Sequence, residues 1–140
     1  MKKWIIKCND IIKRDEYTSL IEMIHGCLII YIYGDNGNMY KLDFGSCCCV
    51  RKFSQILNPD RIFGMNSLKK NYYSTDGILF ESNDAIKTAQ KTLYNVKKHF
   101  IIVLTPLEII DVFKSAEEDV KVLEVVGTEK ENIISKFNMC

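Results

Sequence analysis

The chain has 140 residues, 19 Lys and Arg against 18 Asp and Glu, a formal net charge of +1 at pH 7, and a hydrophobic fraction of 47%. That is the size and make-up of one globular domain spanning 1–140, and the near-neutral balance excludes the strongly basic character of a typical nucleic-acid binder. No apolar run approaches the roughly 18 residues of a membrane-spanning helix. The opening Met-Lys-Lys-Trp-Ile-Ile-Lys-Cys has too short an apolar stretch for a secretory leader, so a cytoplasmic location is expected.

In chain order, Trp4-Ile5-Ile6 reads as a short strand. The spacing of Tyr17, Leu20, Ile21 and Ile24, at i, i+3, i+4 and i+7, predicts a helix capped by Asp15. Gly26 would stop that helix in a left-handed conformation, with His25 at the negative end of its dipole. Cys27 to Phe44 reads as a hairpin turning at Gly34-Asp35-Asn36-Gly37-Asn38. Its first strand, Leu28 to Tyr33, is apolar at every position and suits a place covered on both faces. Its second, Met39 to Phe44, alternates: Tyr40, Leu42 and Phe44 on one face, Lys41 and Asp43 on the other.

The segment Gly45 to Phe53 extends that strand or begins another, and Ser54 to Asp76 is irregular, with turn signals at short intervals. Gly77 to Glu81 is a strand, and a helix capped from Ser82-Asn83-Asp84 is expected to run to Tyr94 through Ala85, Ile86, Ala89 and Leu93. His99 to Leu104 is a second apolar strand, expected to lie in the hairpin's own sheet. Thr105-Pro106-Leu107-Glu108 carries the signature of a helix start, with Ile109, Ile110, Val112, Phe113 and Ala116 as its buried side. Val120 to Val126 is a strand, and Thr128-Glu129-Lys130-Glu131 opens a last helix burying Ile133, Ile134 and Phe137. The expected fold is α+β: a single mixed or antiparallel sheet of five to six strands with three to four helices packed on it.

Six cysteines stand at 8, 27, 47, 48, 49 and 140, with no C-x-x-C spacing and with His25 and His99 far from any cysteine pair. Neither a metal site nor a disulfide framework is expected; small thiols in a reducing compartment explain them. Phosphate-binding, zinc-protease and nucleophile-elbow motifs are absent, so no cofactor is expected. A thiol nucleophile among Cys47, Cys48 and Cys49 would need His25 or His99 as its base. Most of what an active site requires is missing, and the chain is expected not to be an enzyme.

The blocks YGDNGNMYKLDFGS with a following VR, then GILFES, then HFIIVLTPLEIIDVF, resemble small bacterial immunity-type proteins of polymorphic or contact-dependent toxin systems. The resemblance covers Leu28 to Val112 in scattered blocks and implies a non-catalytic protein that neutralises a cognate toxin by binding it. Members directed at nucleases are often acidic, and this chain departs from that. The surfaces to expect for a partner are Gln55 to Asp76 and the hairpin tip, with Arg51, Asp60, Arg61, Tyr72 and Tyr73 as anchors, since aromatic residues and Arg dominate tight interfaces. A nucleic-acid or nucleotide-binding accessory role, with Lys69, Lys70, Tyr72 and Tyr73 as a platform, is the alternative. An exposed sheet edge beside the hairpin would also permit a homodimer by strand pairing.

Overall fold

The structure is a computed structural model, and it describes residues 5–46, 49–54, 77–81, 96–105 and 107–138. Its elements are β1 (Ile5–Lys7), β2 (Tyr17–Ile24), β3 (Cys27–Gly34), β4 (Met39–Ser46), β5 (Cys49–Ser54), β6 (Leu79–Glu81), β7 (Lys98–Thr105), β8 (Glu108–Lys114), β9 (Lys121–Glu124) and α1 (Gly127–Asn138). The strands form two antiparallel sheets. The first has the order β1-β6-β7-β8-β5 and the second β2-β3-β4-β9.

This overturns the expected single sheet of five to six strands under three to four helices. Among the described residues there are nine strands in two sheets and one helix. The strand expected beside the hairpin, now β7, lies in the other sheet. Two expected helices are strands. The stretch 17–24 has helical spacing at four positions, yet it pairs with β3 from Tyr17↔Gly34 to Ile24↔Cys27. Eight cross-strand pairs against an all-apolar neighbour outweigh a four-residue stripe, because helical stability comes mostly from tertiary packing and here the packing favours a sheet.

The second misreading, from Thr105 onward, is a turn into β8. The Thr105 Oγ1 accepts hydrogen bonds from the Leu107 and Glu108 amides, both at 3.1 Å. The hydroxyl thus does what a helix cap does, yet the chain that follows, Glu108-Ile-Ile-Asp-Val-Phe-Lys, pairs with both β7 and β5. The last helix is present as α1, and it lays Ile133, Ile134 and Phe137 on Tyr31, Tyr33 and Leu20 of the second sheet. The helix expected over 82–94 and the irregular segment 55–76 lie outside the described residues.

The two sheets meet through one apolar core. Leu28, Ile30 and Ile32 of β3 with Tyr40, Leu42 and Phe44 of β4 come from one side; Phe100, Ile102 and Leu104 of β7 with Ile110 and Val112 of β8 come from the other. Phe44 and Phe100 meet edge-on at 5.5 Å between ring centroids, an arrangement that suits the aromatic quadrupole. Strand β3 is covered on both faces, by the first sheet and by α1. The opposite face of the first sheet is buried as well: His99, Ile101, Val103, Ile109, Asp111 and Phe113 are all at most 2% exposed.

The turns are built locally. His25 and Gly26, at φ 52° and 77°, are the two central residues of the β2–β3 hairpin. Positive φ at both positions is what a two-residue type I′ turn needs, so Gly26 turns a hairpin rather than ending a helix, and His25 sits in that turn rather than at a helix end. Asp15, expected as a helix cap, instead caps turns: its carboxylate accepts from the Glu16 amide and from the Asn36 amide of the β3–β4 turn, each at 2.8 Å. At the other end of that hairpin Phe44 is an extra residue between the pairs Leu28↔Gly45 and Ile29↔Asp43, and Gly45 takes φ 64°. Such a bulge bends and twists the strand.

Candidate functional site

Two features of the described surface and interior carry chemistry. The first is a charged cluster inside the first sheet. Arg51 on β5, Asp111 on β8 and His99 on β7 share one face, and strand pairing alone brings them together: Arg51↔Asp111 and Ile101↔Asp111 are partners, with His99 one row further along. The Arg51 Nη2 donates to Asp111 Oδ2 at 2.5 Å, and the His99 Nε2 lies 2.5 Å from Asp111 Oδ1. A carboxylate only accepts, so Nε2 carries the proton in this contact. The His99 ring stacks on Phe113 at 4.4 Å with planes 6° apart, while the Arg51 guanidinium lies 5.4 Å from the same ring.

His99 and Asp111 are fully buried, and Arg51 keeps about a third of its side-chain surface exposed at 34%. Buried charge is tolerated where it is paired and hydrogen-bonded. Asp111 meets that condition through two partners on two neighbouring strands, so the cluster fastens β5, β8 and β7 to one another. Sequence reasoning missed Asp111 because it was placed on a helix whose polar side would be wet. Read as a strand, Ile-Ile-Asp-Val-Phe is a lone carboxylate in an apolar run, and that is the signal of a buried partner.

The second feature is a cleft of about 430 Å³ where the β2 and β5 edges of the two sheets meet the end of α1. Thr18, Ser19, Tyr33, Lys52, Glu108 and Phe137 line it. Tyr33 and Phe137 form an aromatic wall, with ring centroids 5.9 Å apart and planes at 55°. Lys52 Nζ donates to Ser19 Oγ at 3.3 Å and lies 3.5 Å from Glu108 Oε2. Opposite charges, hydroxyls and an aromatic wall together suit one amphipathic side chain of a partner better than a flat apolar contact. The cleft takes in the first half of β2, Thr18 to Leu20; further along the strand Ile21, Met23 and Ile24 are 37%, 49% and 50% exposed.

Of the anchors expected from the sequence, Arg51 is engaged with Asp111 and Phe113 beneath a partly exposed surface. Asp60, Arg61, Tyr72 and Tyr73 lie outside the described residues, as do Lys69, Lys70, Cys47 and Cys48. Cys49 and His99 stand in one row with Phe113 between them, as the partners Cys49↔Phe113 and His99↔Phe113 show. Two strand spacings, about 10 Å, separate them, too far for a thiol and its base. His25 is in the exposed β2–β3 turn.

The described lysines in ion pairs are spread over the molecule rather than gathered. Lys7 pairs with Asp119 and Glu81, Lys98 with Glu81, Lys52 with Glu108 and Lys136 with Glu22. The hydrogen bond from Lys7 raises that lysine's own pKa, and the same bond, with the Val120 amide, brings Asp119 below its usual value against the opposing effect of burial. Lys114 is different: desolvation lowers its pKa, and its ammonium donates to the Glu118 carbonyl. Among the described residues no group of three or more His, Cys, Asp or Glu side chains is placed to hold a metal ion. None of their helices is long and apolar enough to cross a membrane.

The class these features define is structural: among the described residues, two packed antiparallel sheets with one helix on the outer face of the smaller one. No family model matches the chain, and neither a curated protein nor a solved structure matches it.

Proposed function

We propose that the chain is a non-catalytic protein-binding module, most concretely an immunity-type protein that neutralises a cognate bacterial toxin by covering it. The observation that carries the reading is the cleft at the β2, β5 and α1 junction, where Tyr33 and Phe137 stand beside the Lys52–Glu108 pair. Aromatic pockets flanked by charge are the places where a few partner side chains deliver most of the binding energy. The immunity assignment itself rests on the resemblance of the hairpin and strand blocks, and it places the protein in the cytoplasm, where a toxin would otherwise act.

The test is to purify the chain together with the toxin-like product of the adjacent gene and titrate one with the other. A stoichiometric complex that silences the toxin is expected. The double variant Glu108→Ala, Phe137→Ala should weaken it by about tenfold or more, given the usual cost of losing an interface anchor. An unchanged affinity would remove the cleft from the reading, and a toxin that stays active under saturating chain would remove the reading itself.

A further inference from the structure

Among the described residues the two sheets present four edges, and they are guarded unequally. β1 has three residues and ends in the ion-paired Lys7; β9 has four, with exposed Lys121 and Glu124. β5 has six and carries Arg51 and Lys52. β2 has eight, YTSLIEMI, with neither Lys, Arg nor Pro, and its partnering runs unbroken along β3 without a bulge. Its one ionisable carboxylate, Glu22, is held by Lys136 of α1 at 3.0 Å. Soluble proteins protect long edges with lysine, proline, bulges or shortness, and β2 shows none of these while exposing Ile21, Met23 and Ile24.

The hairpin fixes which backbone groups face outward. Ile24 and Cys27 flank a two-residue turn, so they are a hydrogen-bonded pair and the even residues of β2 bond to β3. The amides and carbonyls of Ser19, Ile21 and Met23 therefore point to the free edge. Among the described residues, no strand pairs with that edge. Tyr17 is 2% exposed, and the accessible run after it begins at exposed Thr18 and ends at exposed Ile24, with Ile21 midway between them.

We propose that a second copy of this chain pairs with that edge, β2 against β2 in antiparallel register about a two-fold axis at Ile21. The strand is complementary to itself in this register. Ile21 meets its symmetry mate and Ser19 meets Met23 as hydrogen-bonded pairs, all on the face that looks toward the first sheet. Leu20 meets Glu22 on the α1 side, so no like charges oppose one another. Sliding the register to centre on Glu22 would set two carboxylates face to face, which is destabilising, and centring on Leu20 would set exposed Met23 against buried Tyr17. The product is one continuous eight-stranded antiparallel sheet, twice the four strands of the second sheet. The Lys52 stem, which reaches Ser19 from β5, gives Met23 of the other copy an apolar surface to lie on. This inference needs no other protein, and because Ser19 and Lys52 also line the cleft, a second copy and a toxin would compete there.

Sedimentation of the purified full chain over a concentration series tests it. A reversible monomer–dimer equilibrium is expected, and Ile21→Lys, which sets two ammonium groups opposite each other, should weaken it at least about tenfold. Leu123→Lys, on the far edge strand β9, should leave it unchanged. Hydrogen exchange on the wild-type chain gives a reading independent of any variant: the Ser19, Ile21 and Met23 amides should slow as concentration rises, while that of Leu123 should not. A chain that stays monomeric throughout, a dimer that survives Ile21→Lys, or concentration-dependent protection at β1, β5 or β9 instead would overturn the proposal.

Discussion

His99 on β7 and Asp111 on β8 are joined by a 2.5 Å contact between Nε2 and Oδ1, both fully buried, and the same carboxylate holds Arg51 on β5 with its other oxygen. One side chain thereby satisfies partners on both neighbouring strands. Removing it takes a carboxylate partner from both a guanidinium and a buried imidazole, whereas replacing all three groups by apolar ones leaves no such charge to satisfy.

Asp111→Ala should therefore cost about 3–5 kcal/mol of stability, the range for deleting one partner of a buried ion pair. The triple variant Arg51→Met, His99→Phe, Asp111→Leu should regain most of that loss. Urea denaturation of the two variants measures the difference. If Asp111→Ala proves as stable as the wild type, the cluster is not what fastens β5, β8 and β7.

The Lys7–Asp119 pair ties β1 to the segment before β9 at 2.7 Å. Asp119 has a lowered pKa, so its contribution is present above the usual carboxylate range and fades as pH falls through the folded value. Lys7 has a raised pKa, so its contribution is present below the usual lysine value near 10.5 and fades as pH rises beyond it. Asp119 is half exposed, so the effect is small, within about 1 kcal/mol. The stability difference between wild type and Asp119→Asn should accordingly be measurable at pH 7 and vanish near pH 2. A difference that persists in acid would assign it to the Val120 amide hydrogen bond and not to the charge.

Lys114 behaves in the opposite sense. Its desolvation lowers the pKa, so in the window just below 10.5 the unfolded chain binds more protons than the folded one, and stability rises with pH there. Lys114→Met should abolish this local rise, as seen in melting temperatures across the alkaline range. An identical alkaline profile in the two proteins would show that the ammonium is solvated in solution.

Much of the second sheet was legible because its signals are short-range. Asn and Gly at the β3–β4 turn, an apolar strand and an alternating one identify the hairpin without reference to the rest of the chain. β2 was not legible, because Tyr17, Leu20, Ile21 and Ile24 satisfy a helical period, the stretch has no clean alternation, and only pairing with β3 makes it a strand. Gly26 fits either reading, ending a helix or turning a hairpin. The charged cluster was hidden for a related reason: Arg51, His99 and Asp111 are joined by strand register, and register is a long-range property. Of the cleft, Phe137 was foreseen as the buried side of the last helix, but its meeting with Lys52 and Glu108 depends on how the two sheets stack.

Gly26 offers a direct check on the hairpin reading. With φ at 77° and no atom within 4 Å of where a Cβ would stand, Gly26→Ala meets only backbone strain. The cost should be about 1–2 kcal/mol. Gly26→Asn, which tolerates the left-handed region, should cost less than Gly26→Ala. Equal stability of all three proteins would mean that the turn does not hold this conformation in solution.

Thr105 tests the other place where sequence signals mislead. Its hydroxyl caps the turn between β7 and β8 by accepting two amides, and it does so without a helix. Thr105→Val keeps the shape and β-branching but removes the acceptor, leaving the Leu107 and Glu108 amides to water. The loss should be about 1 kcal/mol, as for a lost cap, and Thr105→Ser should retain most of the native stability. Circular dichroism separates the two accounts of this segment. A helix starting at Thr105 would lose helical signal in the valine variant, whereas a strand-connecting turn changes the unfolding midpoint and leaves the helical signal as it was.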